Sequence, residues 1–359
     1  MATRLAAIMK NNESVNLDVL RSLAIIFVVF SHLPILNSLF ESGAYHVQAL
    51  GLLGVLIFFV HTCLVLMHSL ERQTEKYGED RRAWLFFIRR AFRIYPLSIA
   101  VVLVLCIVAP LYSATPPDWQ RTVSNLLLIQ NLTGHASIPG ALWTLPFEVQ
   151  MYLILPALLI FVNRSGETAP RYVGILWLGA VGLVLISWRI GLNYHLIKYI
   201  PCFLPGVLAF TLRKSPRTLS PWMLLLYIGA IAVLFPLATA HSRNVTLKEH
   251  VLAWPVCLIL GLIIPKCREI DSDYIRKAGK VVARYSYGAY LVHGTCIAWA
   301  FGHSFAGLHI LQWIVFIGST TGLSYLAYHL IEKPGIELGE RLAMRASKAL
   351  TAQRALKAG

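Results

Sequence analysis

"RSLAIIFVVFSH", residues 21–32, is apolar from Leu23 to Phe30, yet it opens on an arginine and closes on a serine and a histidine. A run of this kind suits a membrane helix, where an arginine costs on the order of 3 kcal/mol at mid-bilayer. Eleven positions separate Arg21 from His32. At 3.6 residues per turn that is close to three turns, so both side chains share one face, about 16 Å apart along the axis. A local reading has Arg21 snorkelling to the headgroups and pairing with Asp18 at i−3, while His32 hydrogen-bonds a neighbouring helix. Two costly groups on one face also suit a polar path through the membrane.

The rest of the chain extends the pattern. Of its 359 residues 57% are hydrophobic and 14% charged, with a mean hydropathy of +0.63, too apolar for a soluble protein of this size. About 20 apolar residues cover the hydrocarbon core. Ten stretches qualify: 17–36, 49–68, 94–113, 141–162, 171–190, 196–212, 221–240, 250–265, 283–302 and 309–331. The expected fold is therefore an all-α integral membrane protein of about ten transmembrane helices. A further apolar stretch, "TVSNLLLIQNL" at 122–132, is too short to span and is expected to be re-entrant or interfacial.

Charge asymmetry orients these spans, because short cytoplasmic loops are enriched in Lys and Arg. With the N-terminus inside, the inner segments hold Arg4 and Lys10, the run from Arg72 to Arg93, Arg164 and Arg171, Arg213, Lys214 and Arg217, the run from Lys266 to Arg284 and the C-terminal tail from Lys333. Only Arg121, Arg189, Lys198, Arg243 and Lys248 fall outside. Both termini are expected to be cytoplasmic, with residues 1–340 one polytopic domain and 341–359 a basic tail. The net charge of +15 then follows from topology and attraction to anionic lipid headgroups, with no nucleic-acid partner. The first span lacks a clear small-residue cleavage site and is expected to be retained. Six cysteines in or beside membrane segments show no CxxC or metal-ligand spacing, so neither a disulfide framework nor a metal site is expected.

Ionisable groups inside spans mark function by default. Glu148 lies in "ALWTLPFEVQMYLILP", about seven residues, or roughly 10 Å, below the outer surface. His32 lies at a similar depth on a helix of opposite direction. A carboxylate there would set the imidazole tautomer and raise its basicity, as in base–orienter pairs; a structural Glu–His or Glu–Arg pair is the alternative. On the cytoplasmic side, "RRAWLFFIRRAFRIYPL" (81–97) carries Arg90 and Arg93 at i and i+3. Positive-inside topology accounts for Arg81 and Arg82, whereas a close arginine pair also matches phosphate oxygens bidentately. "YSYGAYLVHG" (285–294) places His293 mid-span with Tyr290 at i−3, in a substrate-facing or a structural role. Glu332, in "HLIEKPG", is on the same side as the arginine cluster, as a partner to it or as part of a helix-end charge pair.

These segments together resemble the membrane-bound acyltransferase 3 family. "LDVLRSLAIIFVVFSH" matches its opening Arg, ten residues, then His. "FFVHTCLVL", "RRAFRIYP", "LWTLPFEVQMYLILP", "YSYGAYLVHG" and "IEKP" follow in the family's order, over residues 17 to about 340. The resemblance implies acyl transfer, commonly acetyl from acetyl-CoA, to hydroxyls of cell-surface carbohydrates or of small glycosides. It implies essential roles for Arg21 and His32, makes Arg90 and Arg93 the family's paired arginines, and makes Glu148 its fourth-span acid. The family's Ser-Gly after the paired phenylalanines is replaced by Thr62-Cys63, preceded by His61, a pocket-specific change or a tolerated core substitution. The C-terminal esterase-like domain that some members carry is not expected here.

The expected enzyme is an acyl-CoA-dependent O-acetyltransferase of the bacterial cytoplasmic (inner) membrane. His32 and Glu148 are its catalytic candidates, and Arg21, Arg90 and Arg93 its donor-binding residues. His293, Tyr290, His61 and Trp143 are substrate-facing or structural. Direct transfer and an acyl-enzyme relay both remain open, as do the acceptor, the acyl chain length and the oligomeric state. The competing function is a proton-coupled secondary transporter using His32, Glu148 and His293, although no internal repeat of the usual transporter kind is visible.

Overall fold

The computed structural model describes residues 14–40, 45–109, 118–191, 195–240, 245–302 and 307–358. Arg4, Lys10 and Arg243 of the charge argument, residues 110–113 of the third expected span and residue 359 of the tail lie outside them. Among the described residues the chain is helical, with a single parallel bridge between Leu219 and Cys267. In chain order the α-helices are α1 Val15–Ser31, α2 Pro34–Leu39, α3 Val47–Tyr77, α4 Glu79–Val108 and α5 Trp119–Leu126. There follow α6 Gln130–Thr133, α7 Leu145–Ser165, α8 Ala169–Arg189, α9 His195–Thr211 and α10 Pro221–Ala240. The last four are α11 Val245–Ile263, α12 Asp273–Phe301, α13 His309–Ala327 and α14 Lys333–Ala358.

Six helical stretches are long and apolar enough to cross a membrane: Val47–Tyr77, Ala83–Val108, Gly140–Arg189, Pro221–Ala240, Glu249–Lys266 and His309–Ser347. Gly140–Arg189 contains both α7 and α8, separated by a 3₁₀ turn at Gly166–Thr168. Gly166 sits there at φ 53°, where a Cβ would be strained. Every one of the ten expected stretches overlaps a helix, but α1 and α9 have only 17 residues each, and α12 opens with Arg276, Lys277, Lys280 and Arg284. Large apolar side chains such as Leu178, Ile186, Leu226 and Ile314 are exposed on the outer faces of their helices. That surface suits lipid, which leaves backbone groups no hydrogen-bond partner outside the helix itself.

Helix α1 runs through the centre. Ser14 caps it by accepting from the Leu17 N–H at 3.3 Å, and Asp18 sits in the first turn, where a negative charge opposes the helix dipole favourably. It packs between α3 and α12. A Cβ on Gly54 would lie 2.5 Å from the Ala24 carbonyl oxygen, and one on Gly51 would collide with Ser31 Oγ. Residue numbers rise on one helix as they fall on the other, so α1 and α3 are antiparallel. Toward α12 the contacts run in step, from Ser22 Oγ donating to the Gly279 carbonyl at 3.1 Å, to Arg21 meeting Ser286, to His32 meeting His293. Those two helices are parallel.

Two short features shape the site. The stretch at 122–132 forms two short helices, α5 and α6, rather than one, with Leu128 between them at φ 56°. Buried Asn125 donates to the Arg121 and Ala136 carbonyls and accepts from the Ile138 N–H at 2.8 Å. Gln130 donates to the Leu142 carbonyl, so this hairpin holds the strand of chain that leads into a 3₁₀ turn at Gly140–Thr144 and then α7. At the other end of the chain, α13 passes into a π-helical turn, Tyr328–Glu332, before α14. Pro96 within α4 removes the N–H that would bond the Phe92 carbonyl, and α14 approaches there closely: a Cβ on Gly335 would lie 2.7 Å from that oxygen. Helix α14 continues unbroken past residue 340, and Ala343 is buried.

Candidate active site

Arg21, Arg90, Arg93 and Glu148 line one cavity of about 210 Å³. They come from three helices, and tertiary packing alone brings them together. Arg21 points from α1 toward α12, its Nε donating to Ser286 Oγ at 2.6 Å. Arg90 and Arg93 stand one turn apart on α4. Arg93 reaches Glu332 at 3.8 Å; this carboxyl is 1% exposed, and the π-helical turn that carries it is of a kind often found at functional sites. Arg90 lies over the Phe86 ring, and its buried Nε has no hydrogen-bond partner among the described residues. With Glu148 the only carboxylate among the described residues lining the cavity, the wall carries an excess of positive charge.

Glu148 occupies the first turn of α7 and accepts from the Tyr152 hydroxyl at 3.0 Å. Counting along a straight span puts this carboxyl about seven residues, or roughly 10 Å, below the outer surface; in the structure it lines the arginine cavity from the first turn of α7, which follows a 3₁₀ turn at residues 140–144. His32 Nδ1 bonds the Val28 carbonyl at 2.8 Å, Ser31 Oγ lies 3.1 Å away, and the imidazole meets the ring of His293 edge-on at 5.1 Å. His32 is exposed, whereas His293 is 1% exposed.

The remaining candidates divide. Tyr290 lines the cavity, with its hydroxyl 2.9 Å from Thr144 Oγ1 and its ring against Phe58. Its ring centroid is 6.0 Å from that of His293, so Tyr290 and His293 connect the cavity to His32. His61 and Thr62 both line the cavity, while Cys63 turns into the seam with α9, where a Cβ on Gly206 would lie 2.7 Å from its own. Trp143 does not line the cavity; its ring packs against Phe147 and Tyr199. Tyr152, Ser286, Tyr287 and Thr144 also line it, and none was singled out from sequence. The available signal was helical spacing, since Tyr152 follows Glu148 by four and Tyr287 and Ser286 precede Tyr290 by three and four.

Comparison with known proteins identifies the family. A family model described as an acyltransferase domain matches residues 14–329. Nodulation protein 10 of Rhizobium leguminosarum bv. viciae is 24% identical over 370 residues, covering 92% of this chain and 95% of that protein. No solved structure matches the chain.

Proposed function

Because the chain belongs to the acyltransferase family, we propose that it transfers an acyl group, acetyl from acetyl-CoA in the simplest case, to a hydroxyl of a cell-surface carbohydrate or glycoside. The observation that carries the donor site is the gathering of Arg21, Arg90 and Arg93 on one cavity, with Arg90 Nε unpartnered. Guanidinium groups match phosphate oxygens bidentately, and a buried donor without a partner favours an anionic ligand. At about 210 Å³ the cavity is small beside the usual 300–1,000 Å³ of ligand sites, so it would take one portion of the donor while the rest extends beyond.

His32 supplies the general base. Its Nδ1 faces a carbonyl oxygen, which can only accept, so Nδ1 carries the proton and Nε2 keeps its lone pair. A sugar hydroxyl is a weak nucleophile at neutral pH, and a positioned base contributes roughly 10²- to 10⁴-fold. Glu148 stands among the arginines, where it balances their charge and orients Tyr152. The same proposal includes ten membrane crossings, both termini cytoplasmic, and residence in a bacterial inner membrane, with the donor on the arginine side and the acceptor on the His32 side.

The test is gene deletion in the native host, followed by mass spectrometry of surface glycans and complementation. Loss of an O-acyl mass increment, restored by the wild-type gene and not by His32→Asn, is expected. Unchanged glycans would remove the acceptor class. For the donor, binding of acetyl-CoA to the purified protein should weaken at least tenfold in Arg90→Ala; undiminished binding would remove the arginine site.

A further inference from the structure

The turn between α3 and α4 sets a further arginine beside the donor cavity. Tyr77 ends α3, and Gly78 turns the chain at φ 83°, in the left-handed region that favours glycine. Helix α4 starts at Glu79 and brings Arg89 back onto Tyr77. The Tyr77 hydroxyl accepts from Arg89 Nη2 at 3.3 Å, and the guanidinium Cζ lies 5.6 Å from the ring centroid. Lys76 Nζ lies 5.1 Å from the same centroid, so two cations converge on one ring. Arg89 Nε, like Arg90 Nε, is buried and has no hydrogen-bond partner among the described residues. A buried donor without a bond favours an anionic ligand, which topological charge alone does not require. Arg89 and Arg90 are neighbours in the chain, yet their side chains leave the helix about 100° apart. Arg90 lines the cavity with Arg21 and Arg93, while Arg89 does not. One stretch of α4 thus presents positive charge in two directions, into the cavity and toward the end of α3.

We propose that Arg89, fixed by Tyr77 and joined by Lys76, forms a second anion subsite that takes the 3′-phosphate of the coenzyme A nucleotide. This rests on the acyl-CoA donor reading above and supplies a place for part of the donor that the cavity does not hold. Coenzyme A carries two separate anionic groups, a pyrophosphate joined to the pantetheine arm and a phosphate monoester on the ribose. The cavity, at about 210 Å³, has room for one portion of such a molecule. With the pyrophosphate on Arg21, Arg90 and Arg93, the monoester is left for a cation outside that wall. A phosphate monoester carries about −1.5 to −2 at pH 7, which two cations balance better than one. Its oxygens accept, and Arg89 Nε and Lys76 Nζ donate. The Tyr77 hydroxyl is the positioning group: it holds the guanidinium before the ligand arrives, so less conformational freedom is lost on binding. The consequence is donor choice, because a thioester of free pantetheine or of a carrier-bound arm lacks the monoester and is selected against.

The test pairs a change in the protein with the matching change in the ligand. Binding of acetyl-CoA and of its 3′-dephospho analogue is measured by titration calorimetry on the purified full-length protein in detergent. The wild type should bind acetyl-CoA about tenfold more tightly or better, as expected for a charge-assisted contact. In Arg89→Gln the two ligands should bind alike, at the level the wild type shows for the dephospho analogue, with the thermal unfolding midpoint unchanged. Tyr77→Phe, which keeps the ring and drops the hydroxyl, should lose part of the preference. Equal affinities in the wild type, or a full preference that survives both Arg89→Gln and Tyr77→Phe, would overturn the subsite and leave the acetyl-CoA reading standing. No binding of either ligand by the wild type would remove the donor reading and the subsite with it. A phosphate monoester also occurs on a lipid headgroup, so phosphatidic acid is titrated into the same samples. Loss of phosphatidic acid binding in Arg89→Gln, with the nucleotide preference intact, would assign the site to lipid and overturn the proposal.

Discussion

Arg93 and Glu332 offer the sharpest test of how this site is held. The Glu332 carboxyl is 1% exposed, its nearest cation is the Arg93 guanidinium at 3.8 Å, and its Oε2 has no hydrogen-bond partner. At an effective dielectric of about 20, charges at that distance attract by about 4 kcal/mol. Arg93 keeps a third of its side chain exposed, which lowers the net coupling to about 3 kcal/mol. Arg93→Met should therefore destabilise the protein by about 3 kcal/mol, because it strands a buried carboxylate. Adding Glu332→Leu should recover most of that loss, since two apolar groups of similar volume replace a buried pair at little cost. Acetyl-CoA binding should stay weak in the double variant, because the cation proposed to hold the donor phosphates is still missing. The assay is thermal unfolding of detergent-purified protein in a double-mutant cycle, with acetyl-CoA binding measured on the same four samples. Additive losses from the two substitutions would refute the pairing. Binding that recovers with stability would refute the role of Arg93 in holding the donor.

Other expectations follow from neighbouring contacts. Arg90→Ala should cost little stability, since its Nε bonds no protein group and its removal relieves repulsion among three arginines, yet it should raise the KM for acetyl-CoA at least tenfold. Equal losses in Arg90→Ala and Arg93→Ala by thermal unfolding would contradict this contrast. Gly54→Leu should separate α1 from α3, because even its Cβ would fall 2.5 Å from the Ala24 oxygen; membrane accumulation should drop, with Gly229→Ala, where a Cβ meets nothing, as the neutral control. Asn125→Ala removes two backbone contacts from the chain ahead of α7, to the Ala136 carbonyl and the Ile138 N–H, at about 1–3 kcal/mol for each buried group left unpaired. It should lower kcat more than it raises the KM for acetyl-CoA, because Thr144 and Glu148 follow that stretch while the arginines do not.

The positions of the helices were legible because hydrophobic blocks of membrane length have few alternatives in a medium that satisfies no backbone group. The shared face of Arg21 and His32 was legible for a similar reason, as helical periodicity is local. For Glu332 the sequence left two partners open, the arginine cluster or a helix-end charge pair, and the structure sets it beside Arg93. The neighbours of Glu148 were not legible, because counting along one helix says nothing of lateral packing, and only the fold sets the first turn of α7 beside the arginines of α1 and α4.

Sequence by itself determined the helical class, the two-ended polar stripe of α1 and the residue types available for acyl transfer, since each depends on composition and on neighbours within a few turns. Tertiary structure alone decided the pairings. Arg21 meets Ser286, Arg93 meets Glu332, and His32 meets His293. Those contacts depend on how far α1, α4, α7 and α12 slide past one another. That register is set by close approaches such as Gly54 on Ala24, and by where each helix begins. "RSLAIIFVVFSH" thus carries its two polar ends to the right face, and the packing of α1 against α3 and α12 selects what each end touches.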